Sequence, residues 1–438
     1  MKKSLIITIS AIIVFRVIAG PAEALTAKRS QDTTPWWKQQ KIIFMWGQWI
    51  HDRQATNVVG HRCDLSREVF SDLAQAGATV FSELQGYSPK NAHYAHEFGL
   101  KYFATVFVSN LHTHSGRTWA QESGKGHYFK CPLDEVPYES WLVEPHLEGA
   151  KAGLIDGIHI DWERYGGKGE ATGICYCDDC FSTFLKRQTI KQTFPDKAKR
   201  FQFLLKRNLV GAYEENFHRR RIAMFINIRR KLQTANPDLM FSSYGLHLSD
   251  FSRAMNTPDR PFIFLDCNHY VPDSRKPWWE SYGSRLRKEG YIYIPGGWIN
   301  YLFGAGPSQV SAARWIYETS VNEDGCWLWF ERDLDDEILR AYATADRQIK
   351  DVEHNVGKYL LNGKRDSHFV TTVEWTGRPE LKPAVITQTY HLGREHLTHV
   401  NNVDSDWPLR TRLRFSHLPR AKRWTVSDPM SGLYYSGD

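Results

Sequence analysis

The sequence predicts an α/β protein, a (β/α)8 TIM barrel followed by a small antiparallel β domain. Three observations carry this expectation. Between Lys41 and Phe330, eight short apolar runs alternate with stretches of helical composition, the pattern of strands buried on both faces and separated by crossover helices. Nearly every run ends in a polar or aromatic residue, and chemistry in such barrels collects at the carboxyl ends of the strands. After about Val356 the pattern changes to short alternating runs bounded by turns, which read as antiparallel strands.

Residues 1–24 come first and read as a secretory signal peptide. Lys2 and Lys3 precede a mainly apolar run from Leu5 to Phe15, and Ala22-Glu23-Ala24 supplies a small-x-small cleavage site. Arg16 closes the run well short of the ~20 apolar residues that a membrane span requires. The expected mature chain begins near Leu25 and is secreted or periplasmic, with no membrane span.

Residues 25–355 are the predicted barrel. Its strands are expected at 42–46, 79–83, 102–108, 157–161, 240–244, 262–266, 291–295 and 326–330. Helical composition fills 66–76, 138–153, 181–233, 278–289 and 308–321, with one long helix from Asn208 to Gln233. Residues 356–438 form the predicted β domain, whose runs include HFVTTVEW, PAVITQTYHL, EHLTHVNNV, TRLRFSHL and RWTVSDPMSG. The chain stops at Gly437-Asp438 just after the strand-like GLYYS, so the expected domain is a fragment or lacks its last strands.

The most informative stretch is LIDGIHIDWERYGGKGEATGICYCDDCFSTFL, residues 154–185. It opens as a buried strand and closes on acidic groups. Side chains alternate along a strand, so His159, Asp161 and Glu163 share one face. Two carboxylates this close raise each other's pKa, so that one stays protonated near neutrality and acts as an acid. A helix cap or a surface salt bridge is the alternative reading of the same pair.

The end-of-strand rule adds candidates that would bind substrate: Trp46, Glu83, Asn110, Tyr244, His269, Trp298 and Glu331. Asp266, in FIFLDCNHY, is a further catalytic candidate, because a carboxylate ending an apolar strand has little structural reason to be there. His269 also fits a hydrogen-bonded scaffold role, and Glu331 fits an ion pair with Arg332 or a helix cap. The Gly- and aromatic-rich GGWINYLFGAGP, residues 296–307, reads as a substrate-lining loop and lacks the pattern of a phosphate cradle, so no organic cofactor is expected.

Cys175, Cys177 and Cys180 form C-x-C-x-x-C, and Cys131 lies upstream in HYFKCPLDE. Four thiols satisfy a closed tetrahedral zinc site. Disulfides are the alternative in an exported chain, although neighbours at i and i+2 are poorly placed to bridge and three clustered thiols leave one over.

Composition narrows the partners. The chain of 438 residues carries a net charge of +7, but its basic groups are scattered apart from Arg219–Arg221 and Arg229–Lys231, and no nucleic-acid reading motif accompanies them. Sixteen tryptophans and 13% aromatics supply faces that match the C–H edges of sugar rings, so a carbohydrate is the expected substrate. The sequence sets no oligomeric state.

The IDxE strand end, the Gly-containing turn, and C-x-C-x-x-C followed by Phe184 and Leu185 resemble the fourth strand of family-42 beta-galactosidases. That resemblance implies Glu163 as acid/base and Cys131, Cys175, Cys177 and Cys180 as zinc ligands. This chain has Trp162 where the family has Asn before its Glu, and its Tyr291–Asn300 stretch has no acid where the family places its nucleophile. DGIHIDWE is also similar to the family-18 chitinase signature, with Asp156, Asp161 and Glu163 matching and His159 standing in for an Asp. Both resemblances imply a glycoside hydrolase. A barrel that binds glycans without cleaving them is the alternative.

Overall fold

The structure is a computed structural model. It describes residues 5–7, 11–16, 34–47, 65–83, 86–107, 131–161, 174–194, 196, 198–244, 248–266, 278–298, 319, 323–330, 343, 357–365, 370–375, 385–393, 395–402, 411–415, 424–428 and 433–437.

Two strands lie near the amino terminus, β1 (Leu5–Ile7) and β2 (Ala11–Arg16). The barrel follows as β3 (Ile42–Gly47), β4 (Val80–Glu83), β5 (Lys101–Phe107), β6 (Gly157–Asp161), β7 (Met240–Tyr244), β8 (Ile263–Asp266), β9 (Ile292–Trp298) and β10 (Gly325–Phe330). These strands close in sequence order, β10 pairing in parallel with β3. The predicted (β/α)8 architecture is therefore present, and each expected strand is found within a few residues of its predicted bounds.

The largest extension is at β9, which continues past Pro295 to Trp298. Register with β10 carries it on, Gly296 to Trp298 lying against Trp327 to Trp329. Gly296 is required there, because a Cβ would come within 1.9 Å of the Trp327 carbonyl oxygen.

Side-chain alternation sorts the wall into two faces. The interior holds Ile42, Phe44, Trp46, Val80, Phe103, Met240, Tyr244, Ile263, Leu265, Ile292, Ile294 and Trp327 as one buried cluster. The intervening residues, among them Phe81, Tyr102, Ile158, Ile160, Phe264 and Tyr293, join a larger cluster with the helices. Each fully buried aliphatic or aromatic side chain contributes roughly 1.5–3 kcal/mol relative to exposure, so the double-sided wall is the main source of stability.

The helices follow their sequences closely. Ser88 accepts from the Asn91 N–H and caps Pro89–Glu97, and Ser249 with Ser252 forms a capping box on Asp250–Met255. Between Val136 and Lys151 the helix passes through a π turn at Glu139–Val143. Pro145 lies just beyond it and has no N–H to give the Trp141 carbonyl, which accounts for the widened turn. The expected helical stretch 181–233 divides into Asp178–Arg187, Ala198–Lys206 and Val210–Ala235. Asn208, at φ 54°, separates the last two, since Asn tolerates the left-handed region better than most residues.

The C-terminal domain contains β11 (Lys364–Arg365), β12 (Val370–Trp375), β13 (Val385–Leu392), β14 (Glu395–Asn402), β15 (Thr411–Phe415), β16 (Trp424–Asp428) and β17 (Leu433–Gly437). The hairpin β13–β14 turns on Gly393 at φ 62°, as a two-residue loop demands. The strands form a three-stranded sheet, β1-β15-β12, and a six-stranded sheet, β11-β13-β14-β2-β16-β17. Part of the segment predicted as a leader thus lies in these sheets, β2 pairing antiparallel with β14 on one side and β16 on the other. The apolar residues that suit a leader also suit a central strand, so one stretch satisfies two readings.

Candidate active site at the carboxyl ends of the barrel strands

Strand β6 is unlike its neighbours. Among the described residues it is the one barrel strand that contributes nothing to the apolar interior cluster. Alternation turns Ile158 and Ile160 outward, where they join the outer core, and leaves Gly157, His159 and Asp161 facing in. Gly157 makes room for Phe103, whose ring would lie 2.4 Å from an added Cβ.

His159 is fully buried, with Nδ1 2.9 Å from Ser242 Oγ and its Nε2 buried without a hydrogen-bond partner. Its ring centroid is 4.5 Å from that of Trp46 and 5.6 Å from that of Phe44. Burial drives its pKa down to about 3, so the ring is neutral at any ordinary pH. Ser82 and Thr105 add a second polar pair on the interior face, their hydroxyls 3.0 Å apart. Asp161, 1% exposed, stands one inward step nearer the mouth than His159, in register with Phe107 and Tyr244.

Three aromatic rings pack together on the interior face, Trp46 among them lying against His159. The Trp46 centroid lies 5.3 Å from Tyr244 and 5.8 Å from Trp327, and Tyr244 lies 5.5 Å from Trp327. Trp327 is fixed by donating its indole N–H to the Asp266 carbonyl oxygen at 2.8 Å. The expectations at Trp46, His159, Tyr244 and Asp161 therefore converge on one end of the barrel interior. Trp327 and Ser242 were not singled out from the sequence. Counting by twos along the strands finds both, Trp327 two steps before Glu331 and Ser242 one step before Tyr244.

Glu83 and Asp266 are placed differently. Each is two residues from an outward phenylalanine, Phe81 or Phe264, and so shares its face, and each accepts a hydrogen bond from a tyrosine hydroxyl on the next strand, Tyr102 and Tyr293. Burial, reinforced by the Glu83 charge, pushes the Tyr102 phenol well above its ordinary range, so it remains a donor. Both carboxylates thus lie between barrel wall and helices, on the opposite face from Asp161.

Glu163, Asn110, His269 and Glu331 lie outside the described residues, as does the side chain of Trp298, whose backbone ends β9.

The four cysteines come together. Cys131, Cys175, Cys177 and Cys180 are all buried, and their sulfurs lie within 4.8 Å of one another. Cys131 Sγ is 3.5 Å from Cys180 Sγ and 3.8 Å from Cys177 Sγ. An ion with four Zn–S bonds of ~2.3 Å separates its sulfurs by ~3.8 Å, so this donor set fits zinc. The loop is held from outside: Tyr213 donates to the Cys175 carbonyl, and Arg200 Nη1 donates to the Tyr176 carbonyl at 2.6 Å. Cys177 sits at the cap of Asp178–Arg187, and its thiol is pushed well below the ordinary range by hydrogen bonds from Cys131, Cys175 and Cys180. Burial pushes the Cys175 thiol up, and the bond to Cys131 pushes Cys180 up, so the fit to a metal rests on the four converging sulfurs.

No protein-family model and no curated protein matches the chain. Solved structures do match in fold. A beta-galactosidase from the Antarctic haloarchaeon Halorubrum lacusprofundi is 11% identical with a TM-score of 0.41, covering 70% of this chain and 58% of its own. A beta-galactosidase from Bacillus circulans sp. alkalophilus is 12% identical with a TM-score of 0.43, covering 74% and 57%. A trehalose-6-phosphate hydrolase from Bacillus licheniformis is 9% identical with a TM-score of 0.47, covering 84% and 91%. The chain thus spans less than two thirds of either beta-galactosidase.

Proposed function

We propose that this chain is a glycoside hydrolase acting at the carboxyl-terminal mouth of its barrel. The observation that carries this reading is the inward face of β6, where Asp161 follows His159 beside the rings of Trp46, Tyr244 and Trp327. The buried rings form the apolar floor of the barrel interior, and a carboxylate at the strand end is placed to act on a glycosidic bond. In this proposal Glu163, two residues beyond Asp161 in the sequence, protonates the leaving oxygen. Asp161 serves as nucleophile, base or charge stabiliser. The tyrosine bond and outward face of Asp266 favour Asp161 over Asp266 for that second role.

The four cysteines hold a structural zinc ion in this reading, all four positions being filled by protein so that none remains for a reacting water. Export follows from the basic start, the apolar run and Ala22-Glu23-Ala24. No helix among the described residues is long and apolar enough to cross a membrane.

The deciding experiment is hydrolysis of a broad glycan panel with binding measured in parallel, on the wild type and on Glu163→Gln. A general acid contributes about 10²–10⁴-fold, so Glu163→Gln should lose that much while still binding the glycan, and should lose less on substrates with good leaving groups. Full activity in Glu163→Gln sinks the assignment.

A second reading is a lectin on the same barrel. It is favoured by one observation: of the three strand-end carboxylates among the described residues, Glu83 and Asp266 are bound by tyrosines on the outer face of the wall, and Asp161 faces the interior. Binding without cleavage of any glycan on the panel would select it.

A further inference from the structure

A recess of about 530 Å³ opens at the other end of the barrel. It is built from the segments that lead into β3, β7 and β8, so it lies on the amino-terminal face, away from Asp161. We propose that it is a second saccharide-binding site, taking one or two rings of a neutral glycan. The proposal rests on the reading that this chain acts on glycans.

The walls are preformed. Pro35, Pro237 and Pro258 stand around the opening, and proline fixes its own backbone φ, so little conformational entropy is lost when a ligand settles against them. Trp37 closes one side. It packs partly buried against the apolar floor of the barrel, and the Arg260 guanidinium lies 5.7 Å from its ring centroid.

The polar groups have the chemistry that pairs of adjacent hydroxyls require. Arg260 is held in place by an ion pair to Asp238 and by its Nη1 bond to the Asp259 carbonyl at 2.6 Å, while its buried Nε has no hydrogen-bond partner. Gln233 is fixed by donating to the Leu239 carbonyl at 3.1 Å. These planar groups, with the Asp259 carboxylate and the Lys38 ammonium at the rim, offer donors and acceptors side by side.

Other ligand classes fit less well. Asp238 already compensates the Arg260 charge, and the lining holds the Asp259 carboxylate as well as the Lys38 ammonium, so the recess lacks the excess positive charge that a phosphate demands. Its rim is too polar for an acyl chain. The volume falls within the range of small-molecule sites and accommodates a mono- or disaccharide.

The test is isothermal titration of the full chain with neutral tetraoses of glucose, galactose, mannose and xylose. The wild type should bind at least one of them at two sites per chain. Gln233→Ala/Asp259→Ala, which alters only exposed or half-buried groups, should remove one equivalent or weaken it tenfold or more. Trp46→Ala should remove the other and leave the recess equivalent in place. Trp37→Ala, provided it folds, should act as the double variant does.

If every bound equivalent survives the double variant, or if no tetraose binds, the recess is not a saccharide site. If one equivalent binds and only Trp46→Ala removes it, the recess proposal falls and the active-site reading stands. If the recess equivalent persists while no glycan is ever cleaved, the hydrolase reading falls and the recess stands.

Discussion

Tyr293 donates its hydroxyl to the Asp266 carboxylate on the outer face of the barrel wall, and four strands away around the barrel Tyr102 does the same for Glu83. In both pairs a strand-end carboxylate is bound by a tyrosine on the following strand. Two of the acids expected at the mouth are therefore engaged by the outer packing layer.

This arrangement predicts that Tyr293→Phe and Tyr102→Phe act on stability more than on chemistry. Each removes a donor from a buried carboxylate, an effect of about 1–3 kcal/mol. Denaturant unfolding should register that loss while hydrolysis stays within a few-fold of the wild type. A Tyr293→Phe protein of normal stability with no activity would instead return Asp266 to the reaction.

The same relationship ranks the carboxylates. Asp161→Asn should lower hydrolysis by two or more orders of magnitude, and azide should restore part of it if Asp161 is the nucleophile. Asp266→Asn should cost far less. Equal losses from the two, measured on an established substrate, would contradict the ranking.

His159 should make the fold sensitive to acid. Its pKa is lowered to about 3 by burial, against an unfolded value near 6.5, so the unfolded chain binds the extra proton first. The stabilisation is full above pH ~6.5 and declines by about 1.4 kcal/mol per unit as the pH falls toward 3. Between pH 7 and pH 5 the contribution from this one group is about 2 kcal/mol. Unfolding curves of the wild type and His159→Gln at the two pH values should differ by that amount, and parallel curves would show that His159 is not buried neutral.

Metal analysis should find about one zinc per chain, on the four-ligand rule. Chelation should lower the unfolding temperature before it changes chemistry in the folded fraction, and Cys175→Ser should do the same. Mass spectrometry revealing two disulfides among Cys131, Cys175, Cys177 and Cys180 would overturn the site.

Export should yield a chain that begins near Leu25. Removing the leader would also remove β2, so amides of β14 and β16 that face it should exchange faster in the mature protein than in the full chain. Amino-terminal sequencing of the exported protein that starts at Met1 or Lys2 would make β1 and β2 permanent parts of the domain.

Local pattern alone was enough for much of this molecule. The apolar runs fixed the eight barrel strands because strands buried on both faces are short and continuous in sequence, and β6 was predicted to the residue, Gly157–Asp161. The shared face of His159 and Asp161 followed from the two-residue period of a strand, and the C-x-C-x-x-C spacing marked the sulfur cluster that Cys131 joins. What required the tertiary structure was which side of the wall each strand-end residue occupies. Asp161 and Asp266 both end apolar strands and look equivalent in order. Whether an end residue turns inward depends on how the strand sits in the closed barrel, as Leu265 inside and Phe264 outside settle for Asp266. The recess between Pro35, Pro237 and Pro258 was equally invisible in sequence, because its walls come from three segments far apart in the chain. The double use of Ala11–Arg16 has the same origin: apolar β-branched residues suit a leader and a central strand alike, and pairing with β14 and β16 is a long-range fact.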